Sequence, residues 1–134
     1  MTTDVDAIFA YGYDLGRPSE WAPDFWVGGM PFDEVATFKL TQPNRPAHAK
    51  VDVTGVKILW YGSEVRWERE RIGYILAAEH HIAHFSGALI LPLDFPPRGM
   101  EGEWARRLGH ALDILGIQPT TAGPRWILAA SHGI

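Results

Sequence analysis

The stretch "ILAAEHHIAHF", residues 75–85, places groups that can do chemistry directly after a run of apolar residues. Glu79, His80, His81 and His84 all fall within six positions. Imidazoles bind zinc and other divalent metals, and they exchange protons near neutral pH. Two hypotheses follow. The segment carries a metal or catalytic site, or it is a strand that leaves the core and presents its histidines to water.

A second segment repeats the pattern of the first. Residues 74–80 read "YILAAEH" and residues 126–132 read "WILAASH". Side chains alternate between the two faces of a strand, so the two histidines have equivalent positions in the two segments. If the segments are parallel neighbours in one sheet, these histidines lie side by side.

This arrangement predicts a site built from His80, His84 and His132, with Glu79 or His81 as a supporting group. Three imidazoles with one open position are the ligand set of a catalytic zinc or another divalent metal. The spacing differs from "HExxH", because here the glutamate precedes the first histidine. If both strands merely surface at the same edge, no cofactor is needed.

Local patterns predict the elements that position these residues. Strands are expected at 6–13, 56–62, 74–85 and 125–131, and residues 88–93 could pair back on 74–85. Residues 47–54 form a helix or a strand, and their β-branched residues favour a strand. A short helix is expected over residues 31–40. A longer helix is expected over residues 101–115, with Gly116 to end it. Its single apolar stripe consists of Trp104, Leu108, Ala111, Leu112 and Leu115.

The expected fold class is therefore α+β. We predict a single mixed sheet of four to five strands, with one long C-terminal helix packed on one face. The 134 residues are expected to form one domain, 1–134. A charged connection over residues 63–71 is expected to join two of the strands.

Residues 17–46 are expected to form an irregular region rich in aromatic and acidic residues. Trp21, Phe25 and Trp26 lie there beside Glu20 and Asp24. Such aromatic side chains either fold down as a lid over the core or stay exposed as a patch. An exposed acidic and aromatic patch would bind a protein partner or a second copy of the chain, giving a homo-oligomer.

Composition excludes several classes of function. The chain has no cysteine, which excludes disulfides, thiolate zinc sites and cysteine nucleophiles. Residues 1–40 hold seven acids against two bases, and no basic stripe follows, so nucleic acid is not an expected partner. The motifs "GxSxG", "GxGxxG" and "GxxxxGK" are missing, which disfavours a serine hydrolase of that type and a nucleotide fold.

No apolar run has the length of a membrane span, and no signal peptide pattern opens the chain. We therefore expect no membrane association and a cytoplasmic location, which would be the host cytoplasm for a phage protein.

Several segments resemble a family of small uncharacterised proteins from actinobacteria and their bacteriophages. The likeness lies in "IFAYGYDLG", "GVKILWYGSE", "YILAAEHHIAHFSG" and the ending "WARRLGHALDILGIQPTTAGPRWILAASHG". The resemblance implies an actinobacterial or phage origin and carries no activity.

The opening "FAYGYDLG" also looks like the first strand of γ-glutamylcyclotransferase-like enzymes, which bind substrate through the turn after Tyr-Gly. Tyr11 and Gly12 match that pattern, whereas Tyr13 replaces the small hydroxyl residue of the family. That resemblance implies a downstream glutamate as general acid and base, and Glu79 stands at a suitable distance along the chain.

Three hypotheses of function stay open on the sequence. The first is a non-enzymatic protein-interaction module, in keeping with a phage or prophage accessory protein that binds a host protein or itself. The second is a histidine-based metal site or hydrolase. The third is a γ-glutamylcyclotransferase-like enzyme.

Overall fold

A computed structural model describes residues 5–17, 21, 32–41, 52–62, 72–84, 88–91, 93, 95, 99–119 and 122–132. Within these residues the chain forms four strands and two helices. In chain order they are β1 (Val5–Gly16), α1 (Phe32–Thr41), β2 (Lys57–Gly62), β3 (Ile72–Ala83), α2 (Glu101–Leu115) and β4 (Arg125–His132). The α+β class is thus confirmed, and helices are found at both expected places, α1 near residues 31–40 and α2 at residues 101–115.

The strands follow the order β1-β3-β2-β4 and close into a barrel. β1 pairs antiparallel with β3 on one side and with β4 on the other. β2 pairs antiparallel with β3 and meets β4 in parallel at Gly62 and Ser131. The first strand of the chain is therefore the element that joins the two look-alike segments.

Side-chain alternation divides the strand residues into an inner and an outer layer. The inner layer fills the barrel with Ile8, Ala10, Ile75 and Ala77. The outer layer of β1 and β3 packs against both helices. The cluster that joins strands and helices includes Tyr11, Tyr74, Leu76, Phe32 and Leu108. The two helices thus cover part of the outer surface of the barrel.

The longer helix has the bounds that its apolar stripe predicts. All five residues of the stripe are buried. Two glutamates lie in the first turn, where the partial positive charge of the helix end stabilises them. Gly116 adopts φ 69°, and its N–H donates to the carbonyl of Leu112, which ends the helix as predicted.

β3 contains one residue more than the part of β1 that pairs with it, and this residue forms a β-bulge. Tyr11 pairs with Glu79 and Gly12 pairs with Ala77, so Ala78 has no partner on β1. One additional residue reverses the alternation that follows it. The bulge lies directly before the histidines and therefore changes the face on which they lie.

Two predicted strands are wrong within the described residues. Residues 52–54 enter a turn, in which the Thr54 N–H donates to the Asp52 carboxylate at 2.9 Å. Residues 88–91 and 93 are in no strand. The remainder of segment 47–54 and the charged connection 63–71 lie outside the described residues.

Candidate functional site

The two look-alike segments are not neighbours in the sheet, contrary to prediction. β3 and β4 run parallel to one another, but β1 lies between them and pairs with both. His80 is paired with Ala10, and position 132 is paired with Val5. Because Ala10 and Val5 are five residues apart along β1, positions 80 and 132 are not neighbours in the register of the sheet. The shared site of His80, His84 and His132 thus loses the strand neighbourhood on which it was built.

His80 lies on the inner side of the barrel, in the row of the buried Ala10. Burial lowers the pKa of its imidazole below the usual range, and the ammonium group of Lys57 lowers this pKa further. The Glu79 carboxylate opposes the shift, and His81 adds to it. We therefore infer that His80 is neutral at pH 7, a form that can accept a proton or ligate a metal.

This lowered pKa makes a pH dependence of stability measurable. As the pH falls below about 6.5, the unfolded chain binds a proton at His80 before the folded chain does. The free energy of unfolding of the wild type should thus fall more steeply than that of His80→Gln between pH 7.5 and pH 5. Urea unfolding of both proteins at the two pH values measures this. An equal pH dependence in the two proteins would contradict a half-buried, neutral His80.

His84 faces a buried acid that the sequence analysis did not single out as a site residue. The Nδ1 atom of His84 lies 3.5 Å from the Asp6 carboxylate, whose residue is only 6% exposed. The side chain of His84 itself is 65% exposed. A buried carboxylate in this position can orient an imidazole for proton transfer at the surface. The sequence could have identified Asp6 through strand alternation. Asp6, Ile8 and Ala10 are two residues apart from one another, so Asp6 shares the inner face of the barrel with the other two.

His81 and Glu79 form a second pair, on the outer side of the barrel. The Nε2 atom of His81 is buried, lies 3.8 Å from Glu79 Oε1 and has no hydrogen-bond partner in the described part of the chain. Among the side chains that the structure describes, no three histidines or carboxylates gather closely enough to hold a metal ion. The zinc hypothesis and the role of His132 in it stay predictions.

The residues of the cyclotransferase-like hypothesis come together, although Tyr11 is packed away from solvent. Tyr11 and Glu79 are cross-strand partners. The ring of Tyr11 packs against Trp104 and Trp126, with ring centroids 5.4 Å apart in both cases. Burial is the largest cause that raises the pKa of Tyr11. The carboxylate of Glu101 and the hydroxyl of Tyr13 raise this pKa further. Gly12 is required for packing, because a side chain there would collide with the backbone of β3.

Trp21 is part of the aromatic core. Its Nε1 donates to the Gly16 carbonyl at 3.1 Å, and its ring contacts Phe32 and Tyr74. This placement favours the lid hypothesis for Trp21 over an exposed patch. The other residues predicted to bind a partner lie outside the described residues, namely Glu20, Asp24, Phe25 and Trp26.

An apolar surface lies on the outer side of the sheet, in the part that the helices do not cover. The sequence did not indicate this surface. Ala83, Ala7 and Ala130 form one row across β3, β1 and β4. Phe9 is the central residue of the next row on the same side, where it pairs with Leu128 on β4 and with His81 on β3. Leu128 is 73% exposed. We call these five residues the apolar face.

Exposed apolar side chains also occur after β3, within the described residues 88–91 and 93. Ile90 is 89% exposed and Leu93 is fully exposed. The segment begins soon after the end of β3 and leads to Phe95, whose ring packs on Phe9 and Trp126. The sequence predicted a strand here because apolar residues in a short run usually mean burial.

A separate half-open cleft of about 560 Å³ lies between α1 and residues 52–58. Leu40, Val53 and Ile58 line it, and Thr37 and Thr41 stand at its margin. Arg107 of α2 holds one wall in place through contacts with the Asp52 carboxylate at 3.2 Å and the Thr54 carbonyl at 3.4 Å. The hydroxyls of both threonines already donate to carbonyls of α1, whereas Lys57 also lines the cleft and carries an ammonium group.

Comparisons of the chain with protein-family models, curated proteins and solved structures found no match. The resemblance to actinobacterial and phage proteins and the cyclotransferase-like resemblance both stay predictions. In the part of the chain that the structure describes, neither helix combines the length and the apolar character that crossing a bilayer requires.

Proposed function

We propose that this chain is a protein-interaction module and that the apolar face is its contact surface. The observation that carries the proposal is the 73% exposure of Leu128 in the middle of a paired strand. Large apolar side chains on a sheet normally face a core or a partner. Leu128 faces neither within the described residues.

The composition of the apolar face supports a protein partner. Its five residues carry no charge and include one aromatic ring, as the centre of a protein interface does. Ile90 and Leu93, which follow β3 in the chain, are further exposed apolar side chains. By contrast, His81 and His84 pair with two different carboxylates, those of Glu79 and Asp6, which gives the enzyme hypotheses a weaker geometric basis.

Photo-cross-linking tests the proposed function. In the test protein, the cross-linking residue p-benzoylphenylalanine replaces Ala130, which is exposed on the apolar face. In a control protein it replaces Phe38 of α1, which is 68% exposed. In an actinobacterial lysate we expect a defined adduct from position 130 and none from position 38. Equal adducts from both positions, or none from position 130, would contradict the proposal.

A further inference from the structure

We infer that Asp6 and His84 form an acyl-transfer site, in which the His84 imidazole attacks small, neutral esters and the Asp6 carboxylate positions that imidazole. This activity is separate from protein binding by the apolar face. Asp6 and His84 are the chain neighbours of Ala7 and Ala83, so alternation places them on the opposite, inner side of the sheet.

Asp6 carries its charge in a buried position. It is 6% exposed, and it is the one buried charged residue in the part of the chain that the structure describes. Asp6 pairs with Ser131 on β4, and its neighbour Ala7 pairs with Ala83 on β3, so strands hold it on both sides. A buried ion pair adds little net stability, because the loss of hydration offsets the attraction between the charges. Chemistry therefore explains the burial of this carboxylate better than stability does.

His84 has one ring nitrogen beside this carboxylate and the rest of its ring open to solvent. Its Nδ1 atom lies 3.5 Å from Asp6 Oδ1, whereas its side chain is 65% exposed. A carboxylate beside Nδ1 favours the tautomer that carries its proton there, which leaves the lone pair of Nε2 available. His84 thus has the geometry of a nucleophile that a fixed acid orients.

The reaction of His84 with an ester has two steps. The Nε2 lone pair forms a bond to the carbonyl carbon, and the C–O bond of the ester breaks as the alcohol oxygen leaves with its electron pair. The ring is then positively charged, and the Asp6 carboxylate stabilises this charge as it develops. Water next attacks the acyl carbon, and the Nε2–C bond breaks with its electron pair returning to the ring. The products are an acid and an alcohol, each of which receives one proton of the water.

Charge and the neighbouring side chain favour a neutral acyl group over a phosphoryl group as substrate. The negative charge of Asp6 repels phosphate esters, whereas a neutral ester is not repelled. Ile82 lies two residues before His84 on the same side of β3 and is half-buried, so it offers apolar surface to an acyl chain. p-Nitrophenyl acetate is therefore the probe, because it is a neutral ester with a small acyl group and a good leaving group.

Hydrolysis of p-nitrophenyl acetate by the full chain, followed through the release of p-nitrophenolate, tests the inference. His84→Gln should lower the rate at least about tenfold. The His84 side chain is exposed, so this variant keeps the fold. His110→Gln is the matched control, because the Nδ1 atom of His110 lies 3.3 Å from a neutral group, the carbonyl oxygen of Asp52. The control should hydrolyse the ester at the rate of the wild type.

Asp6→Asn tests the positioning role, since it removes the charge and keeps the imidazole. It should lower kcat about tenfold and leave KM unchanged, because the carboxylate acts on charge that develops only in the transition state. A folded Asp6→Asn protein with the kcat of the wild type would overturn this role. Equal rates in the wild type and His84→Gln, or equal losses in His84→Gln and His110→Gln, would overturn the acyl-transfer site. If circular dichroism shows that Asp6→Asn does not fold, the two histidine variants decide alone.

Discussion

Replacing Gly12 with alanine is expected to destabilise the protein by about 3 kcal/mol or more. A Cβ atom at this position would collide with the Leu76 carbonyl oxygen and lie 2.9 Å from the Ala77 Cα. Both neighbours belong to the backbone of β3, so no side chain can turn aside to make room. The substitution must therefore separate β1 from β3 at the bulge. Urea unfolding followed by circular dichroism gives the free energy difference.

Gly109→Ala is the matched control for Gly12→Ala. Gly109 lies inside α2, and a Cβ atom there meets nothing within 4 Å. Alanine is the better helix former, so this variant should gain about 0.5–1 kcal/mol. If Gly12→Ala unfolds within 1 kcal/mol of the wild type, the close pairing of β1 with β3 is wrong.

The second large effect is expected for Phe32→Ala, at about 3–5 kcal/mol of lost stability. Phe32 is fully buried, and its ring contacts Trp21 and Tyr74 at centroid distances of 4.7 and 5.4 Å. Truncation would leave a cavity under Trp21 and loosen α1 from the sheet. The same urea unfolding measures the loss.

Phe38→Ala is the matched control, since it removes the same side chain from the same helix. Phe38 is exposed, so its loss should change the stability by less than about 0.5 kcal/mol. Similar effects at both positions would refute the packing of Trp21 and Phe32 as one aromatic core. In that case Trp21 would again be a candidate for partner binding.

The sequence predicted those elements whose pattern is local. The stripe of α2 and its terminal Gly116 give a helix with the predicted bounds. The apolar runs at 56–62 and 125–131 give β2 and β4. In each of these segments, the periodicity of neighbouring residues already contains the structural information.

The predicted site failed where its geometry depends on strand order and on one bulge. No local pattern indicates that β1 lies between β3 and β4, because this pairing joins residues far apart in the sequence. The bulge at Ala78 then places His80 in the row of the inner residue Ala10. The likeness of the two segments is nevertheless reflected in the fold, since both pair with the same central strand.

The apolar face shows the same dependence on topology. Ala7, Ala83 and Ala130 are distant in sequence and become one row only through the register of three strands. Leu128 occupies a position in its strand equivalent to that of the buried Leu76, so sequence alone predicts burial for both. They differ because the helices cover one end of the outer surface and leave the other end open.

Photo-cross-linking from the apolar face tests the central claim most directly. With p-benzoylphenylalanine in place of Ala130, which is exposed beside Ala7 on the apolar face, we predict a defined adduct with a partner protein. The same residue in place of Phe38 on α1 should give no adduct. No adduct from position 130, or equal adducts from the two positions, would contradict the apolar face as the surface through which this chain binds its partner.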